Sequence, residues 1–303
     1  MKYYLAPLEG ITTFVYRNAV NKFFGGIDKF YTPFFSPQTK RHKNSYAIRG
    51  IMPENNPGMK LIPQILTEDA KDYLLFERDM LSYGYDELNI NTGCPSGTVV
   101  SKGRGAGFLQ YPDKLESFLD EVFDKAKTKI SIKTRLGMYD PEEFIKLLEI
   151  FNKYPLEELI IHLRVGKEMY KGEVHKEYFD YAIKNSRNPV VYNGDVTGIE
   201  DIKDLPEGTD CVMLGRGMIT DPSLARVLDG GEKMNRSEAA AFLQYLKDEY
   251  LRLDPDENHN LFKLKEVWSY MQANYPEKKK ELKGILKAKR LEEYQVYVDN
   301  ILS

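Results

Sequence analysis

Short apolar or β-branched runs closed by Gly, Pro or a polar residue recur along the first ~220 residues: YYLAP, KFYTPF, KLIPQIL, YDELNIN, KISIKTR, ELIIHLR, PVVYNGD and DCVMLGR. Runs of this length, bounded by turn formers, predict buried strands. Several are separated by segments with an apolar period near 3.6, such as PDKLESFLDEVFDKAKT and DPEEFIKLLEIFNKYP, each opening on a Pro and Asp pair suited to a helix start. The closing polar residues are Glu9, Thr32, Gln64, Asn91, Lys133, His162, Asn193 and Arg216, separated by 23, 32, 27, 42, 29, 31 and 23 positions. A mean near thirty is the size of one βαβ step. Eight steps predict a (β/α)8 TIM barrel over residues 1–235, with its site at the C-terminal strand ends where these polar residues fall. A doubly wound open sheet is the alternative, because alternation alone does not show closure.

From about residue 236 the strand pattern stops. Amphipathic text rich in Lys, Glu and Leu runs to residue 303 and predicts a small C-terminal all-helical domain over 236–303. Residues 261–290 hold nine Lys or Arg against three Glu. A solvated helix face accounts for such a run as well as a polyanion partner does.

Composition narrows the classes. A chain of 303 residues that is 42% hydrophobic is long enough for a large core. The start, MKYYLAPLEGIT, lacks a signal-peptide pattern, and no stretch approaches ~18 consecutive apolar residues, so a cytoplasmic protein with no membrane span is expected. Cys94 and Cys211 offer no disulfide framework, and the four histidines, His42, His162, His175 and His259, show no metal-binding spacing, so no metal is expected. A net charge of −3 argues against a protein basic throughout, though an average conceals a local patch.

Lys133 and Arg135 alternate on one predicted strand and therefore share a face, placing two cations at the barrel mouth. His162 and Arg164 repeat the device on the next strand. YNGDVTG and LGRGMITDP follow the seventh and eighth runs, where this fold often binds phosphate through glycine backbone and here through Arg216. The backbone around Pro7 and Leu8, the Glu9 carboxylate and the Gln64 amide suit the edges of a flat heterocycle. No GxGxxG opens a helix, so a Rossmann dinucleotide site is not indicated. Cys94, between a glycine and a proline in NINTGCPSG, by itself reads as a buried cysteine beside a proline turn before it reads as chemistry.

In order and spacing, APLEG, IPQIL, NINTGCPS, SIKTRLG, IIHLR, YNGDV and MLGRG resemble the FMN-dependent tRNA dihydrouridine synthases. The resemblance covers nearly the whole chain. HNLFKLKEVWSYMQANYP, with Trp268 and Tyr270, is similar to part of that family's tRNA-binding helical domain. The resemblance implies that Pro7, Leu8, Glu9, Gln64 and Lys133 hold the isoalloxazine ring with His162 beside it. Asn193, Gly194, Asp195, Gly215 and Arg216 would meet the FMN phosphate. NADPH, or NADH, would reduce the flavin, hydride would pass to carbon 6 of a uracil, and Cys94 would protonate carbon 5. Asn91, Arg135 and Arg164 near the ring, with Lys263, Lys265, Lys278, Lys279 and Lys287 on the tail, would contact tRNA. A monomer is expected. The tail most resembles the bacterial subfamily acting on uridine 16. Three positions depart from the family pattern: Gly97 where a lysine is common, Asn89 where Asp is frequent, and YTPFF in place of a Glu-containing second strand end. The rival readings are an FMN barrel acting on a small molecule, in the manner of dihydroorotate dehydrogenases, and a tRNA-binding protein that holds flavin without turnover.

Overall fold

The computed structural model describes residues 1–36 and 45–303; His42 lies outside them. Among the described residues, nine parallel strands form one sheet: β1 (Lys2–Leu5), β2 (Lys29–Tyr31), β3 (Leu61–Ile62), β4 (Gln64–Ile65), β5 (Glu87–Thr92), β6 (Lys129–Arg135), β7 (Leu159–His162), β8 (Val190–Asn193) and β9 (Cys211–Leu214). The spatial order is β3-β2-β1-β9-β8-β7-β6-β5-β4. The two ends of that order, β3 and β4, are separated only by Pro63, so the sheet closes on itself as the expected barrel.

The third of the eight predicted runs is thus divided, and the reason is local. Pro63 has no N–H to give to the ladder. Its carbonyl still accepts from Asn89 N at 2.9 Å, and the Gln64 N–H turns to Thr32 Oγ1 at 3.0 Å instead of to backbone. β3 pairs with β2 through Phe30 and Leu61, and β4 pairs with β5 through Gln64 and Asn89. Closure at the other seam comes from β1 against β9, with Leu5 opposite Leu214.

Helices cover the outside. Pro112–Lys125 begins on its proline, carries Asp113 in its first turn and Lys125 in its last, and buries Leu115, Phe118, Leu119 and Val122. That spacing forms one face at 3.6 residues per turn. The helix expected from residue 140 begins at Glu143, because the Glu143 carboxylate folds back to accept from Met138 N at 2.8 Å, Tyr139 N at 3.1 Å and Asp140 N at 3.0 Å.

The N-terminal end of the barrel interior is plugged by charge. Lys29 Nζ donates to Glu87 at 2.8 Å and to Glu158 at 3.0 Å, and the hydroxyls of Tyr4 and Tyr31 donate to Glu158.

Among the described residues four α-helices follow the barrel: Arg236–Leu253, Glu257–Met271, Lys279–Lys287 and Leu291–Leu302. The first is fixed by a reciprocal cap in which Asn235 Oδ1 accepts from Glu238 N and Glu238 Oε2 accepts from Asn235 N, both at 2.9 Å. Phe242 from this helix packs on Tyr16 at 5.7 Å and on Phe24 at 5.5 Å between ring centroids. Barrel and tail side chains therefore belong to one continuous apolar cluster. Among the described residues no helix is long and apolar enough to cross a membrane.

Candidate active site

A cleft of about 970 Å³ opens at the C-terminal ends of the strands. The loop after β1 gives it Pro7, Leu8 and Glu9; β5 and its loop give Asn91, Gly93 and Cys94; β6 gives Lys133 and Arg135; β7 gives His162. Asn193 at the end of β8, Gly194 and Asp195 just after it, and Gly215 and Arg216 just after β9 complete the set. The predicted ring, phosphate and barrel-side substrate residues thus line one cleft, except for Gln64 and Arg164. Gln64 is fully buried behind it, and Arg164 is buried at 1% exposure beside it.

Gln64 is the centre of an amide chain. Its Nε2 donates to Asn89 Oδ1 at 2.7 Å, its Oε1 accepts from Asn91 Nδ2 at 2.8 Å, and Asn89 Nδ2 donates on to Ser131 Oγ at 2.9 Å. Asn91 Oδ1 then accepts from Gly93 N and Cys94 N, both at 3.0 Å. Asn89 and Asn91, two residues apart in NINTGCPSG, therefore fix the backbone before Cys94 through Gln64. Asn89 serves here as an acceptor and a donor at once, which a carboxylate in its place cannot do.

Arg135 holds the same loop from the other side, with Nε donating to Gly93 O at 2.8 Å and Nη1 to Val165 O at 3.0 Å. Burial pushes the Cys94 thiol up; the Ser96 backbone N–H works against this, Glu9 adds to it, and Arg135 and Lys133 oppose it. The thiol is protonated at neutral pH. Lys133 Nζ donates to Asn193 Oδ1 at 2.9 Å, and Asn193 Nδ2 is anchored on Met213 O at 2.8 Å. Burial, with Arg135 adding, lowers the Lys133 ammonium to about 7. His162 is driven well below its ordinary value by burial and then by Arg135, Lys133, Arg164 and Arg216, so its imidazole is neutral. Its Nδ1 is buried with no hydrogen-bond partner among the described residues.

At the β8 and β9 end, Asp195 accepts from Arg164 and Arg216. Burial works against the Asp195 carboxylate, but the hydrogen bonds and charge of Arg164, joined by Arg216, hold it below the usual carboxylate range. Its φ of 25° lies in the left-handed region, disfavoured without glycine. A Cβ on Gly194 would lie 2.9 Å from Val174, and one on Gly217 would lie 2.4 Å from Val196 O, so backbone approaches here that no side chain permits.

Several wall residues were not anticipated. Tyr170 lies with the guanidinium carbons of Arg135 and Arg216 each 5.3 Å from its ring centroid. It follows Met169, the other non-glycine residue of positive φ among those described. Phe34 joins from the loop after β2, and Glu266 and Tyr270 come from the tail helix Glu257–Met271. Tyr270 stands in the tail motif quoted above. Its companion Trp268 is instead buried in the tail, donating Nε1–H to Tyr294 at 3.0 Å. The tail lysines divide: Lys263 lies over the rings of Tyr46 and Tyr250, Lys265 is bound to Ala288 O and Lys278 to Asn300 O, whereas Lys279 and Lys287 are exposed. Gly97 opens a short helix, and a Cβ there would meet nothing within 4 Å. Among the described residues no group of three His, Cys, Asp or Glu is placed to hold a metal ion.

A model of the dihydrouridine synthase family (Dus) matches residues 4–295. A probable tRNA-dihydrouridine synthase of Staphylococcus aureus (strain COL) is 29% identical over 227 residues, covering 72% of this chain and 68% of that protein. Probable tRNA-dihydrouridine synthase 2 of Bacillus subtilis (strain 168) is 30% identical over 230 residues, covering 72% and 69%. Among solved structures, a variant of NCR from Zymomonas mobilis superposes with a TM-score of 0.52 at 13% identity, covering 77% of this chain and 88% of that one. Morphinone reductase gives 0.51 at 11% identity, covering 78% and 87%. At such identities the two structures speak for the barrel alone, whereas the family model spans barrel and tail together: the chain belongs to the dihydrouridine synthase family.

Proposed function

We propose that this protein reduces a uridine of tRNA to 5,6-dihydrouridine, with FMN as its resident cofactor and NADPH, or NADH, as reductant. The observation that carries the reading is the placing of Cys94, whose loop is held by Asn91 and Arg135, in one cleft with Lys133 and with a His162 Nδ1 that has no hydrogen-bond partner among the described residues. The donor set fits a flavin. Among the described residues, Lys133 makes one hydrogen bond and a ring nitrogen of His162 has no partner, and the Gly194 and Gly215 backbones with Arg216 offer donors to a phosphate. Pro7, Leu8 and Glu9 would border the ring, with Gln64 acting through Asn91.

When bound, the flavin supplies the hydride to carbon 6 of the uracil. Cys94 gives its proton to carbon 5, and the resulting thiolate regains a proton from solvent. Arg135 and Lys133 stabilise that thiolate while it lasts. Asn91 has one amide N–H left for the uracil edge. Arg164, bound to Asp195, positions the phosphate loop. The target base reaches this depth only if extruded from the RNA fold, and the exposed tail lysines are suited to the surrounding phosphates.

Purified protein should be yellow and should form dihydrouridine in unmodified bulk tRNA with NADPH. Absence of flavin after mild denaturation would overturn the cofactor assignment. In Cys94→Ala, flavin content and NADPH-driven flavin reduction stay normal while dihydrouridine formation falls by roughly 10²- to 10⁴-fold, the scale of a lost general acid. Undiminished product would remove Cys94 from that role.

A further inference from the structure

The tail helix Glu257–Met271 does more than cover the barrel. Phe262, Glu266 and Tyr270 recur every four residues and therefore share one helix face. Glu266 and Tyr270 line the cleft, and Phe262, one turn earlier, is 69% exposed, the most exposed large apolar side chain among the described residues. The Glu266 carboxylate sits against the loop after β1, 3.3 Å from where a Cβ on Gly10 would be. It is half-buried, and burial pushes its proton affinity up.

Among the described residues no hydrogen bond or ion pair engages that carboxylate. The neighbouring cations are committed elsewhere, Lys263 over two tyrosine rings and Lys265 to Ala288 O. A half-buried carboxylate without a partner is costly unless something arrives to donate to it. A phosphate would be repelled. A base edge is attracted, because a carboxylate reads the amino and imino N–H groups of nucleobases. An exposed aromatic ring one turn away is suited to stacking a base.

We propose that Glu266 is a specificity-determining residue: it accepts N–H from the base of a nucleotide flanking the extruded uridine, at the rim of the cleft, with Phe262 stacking beside it. This rests on the proposed reaction and extends it to a second nucleotide. The tail thereby reads sequence as well as phosphate.

The test uses the whole flavin-loaded protein and tRNA transcripts carrying unsubstituted purine, which lacks N–H on its pairing edge, at either position flanking the mapped uridine. At one of the two positions, purine should lower wild-type kcat/KM by about tenfold. Glu266→Ala should lower it by a similar factor on the natural transcript, with no further loss on that purine transcript, since both changes delete one contact. Filter binding should show the same non-additivity in Kd, and Glu266→Gln serves if the alanine variant folds poorly. Wild-type kcat/KM in both variants, or fully additive losses at both positions, would overturn the inference. Failure of the wild-type enzyme to form dihydrouridine in the natural transcript would overturn the proposed function itself.

Discussion

At the scale of the residue, Lys133 decides the pH behaviour of the site. Its ammonium is held at about 7 by burial and by Arg135, so at pH 8 it is largely neutral without a ligand. An electron-rich ring edge set against it favours the charged form and raises its proton affinity. Flavin binding should therefore take up a proton at pH 8, approaching ~1 per flavin, and almost none at pH 6, where Lys133 is already charged. Binding enthalpies measured in buffers of different ionisation heat would give that number, and Lys133→Met should abolish it. Uptake that does not change between pH 6 and pH 8 would place the proton elsewhere. That Lys133 and Arg135 share a face was legible from strand alternation, whereas Cys94 was legible only as a residue following a strand end and through the family resemblance. Gln64 was legible as a strand-end amide, but its burial behind the wall was not, because the hydrogen bonds of Asn89 and Asn91 that claim it are 25 and 27 residues away. Tyr170 gave no pattern at all: its place between two arginines depends on the path of the loop after β7.

At the scale of the element, the seam between barrel and tail is built from shared apolar packing. Phe242 fills the space against Tyr16 and Phe24, and Tyr250 meets Thr13, the residue that caps the first barrel helix, Phe14–Phe23. Two domains divided near residue 235 would unfold separately if each had its own core. The shared cluster argues for one cooperative transition. Phe242→Ala should cost about 3–5 kcal/mol, as for other buried aromatic truncations, while urea unfolding followed by fluorescence and by circular dichroism stays coincident. Two resolved transitions would instead show the tail to be an independent unit. Cutting the chain at 235 would uncover Tyr16 and Phe24, so a point substitution is the cleaner probe of the tail. The helical periodicity of residues 236–303 was plain in the sequence. Which face each helix buries was not, and Trp268, suited to a surface that stacks bases, lies inside instead. The split of the third strand at Pro63 was similarly hidden, although proline in an interior strand was a reason to expect a break.

At the scale of the whole molecule, the −3 average masks a cationic tail, and the structure sorts its lysines by what they already hold. Lys263 is clamped over Tyr46 and Tyr250 and is lowered in proton affinity by burial, so it ties tail to barrel. Lys279 and Lys287 are exposed on the helix Lys279–Lys287, free to replace counterions along RNA. Each phosphate contact contributes roughly 0.7–0.9 to the slope of log affinity against log salt. Lys279→Ala with Lys287→Ala should therefore flatten that slope for tRNA by about 1.5, leaving flavin content and melting temperature unchanged. Lys263→Met should do the reverse, lowering the melting temperature while the salt slope holds, because a cation already committed to two rings displaces no counterion from the RNA. Equal slopes for wild type and the double variant would move the phosphate-contacting face elsewhere on the molecule.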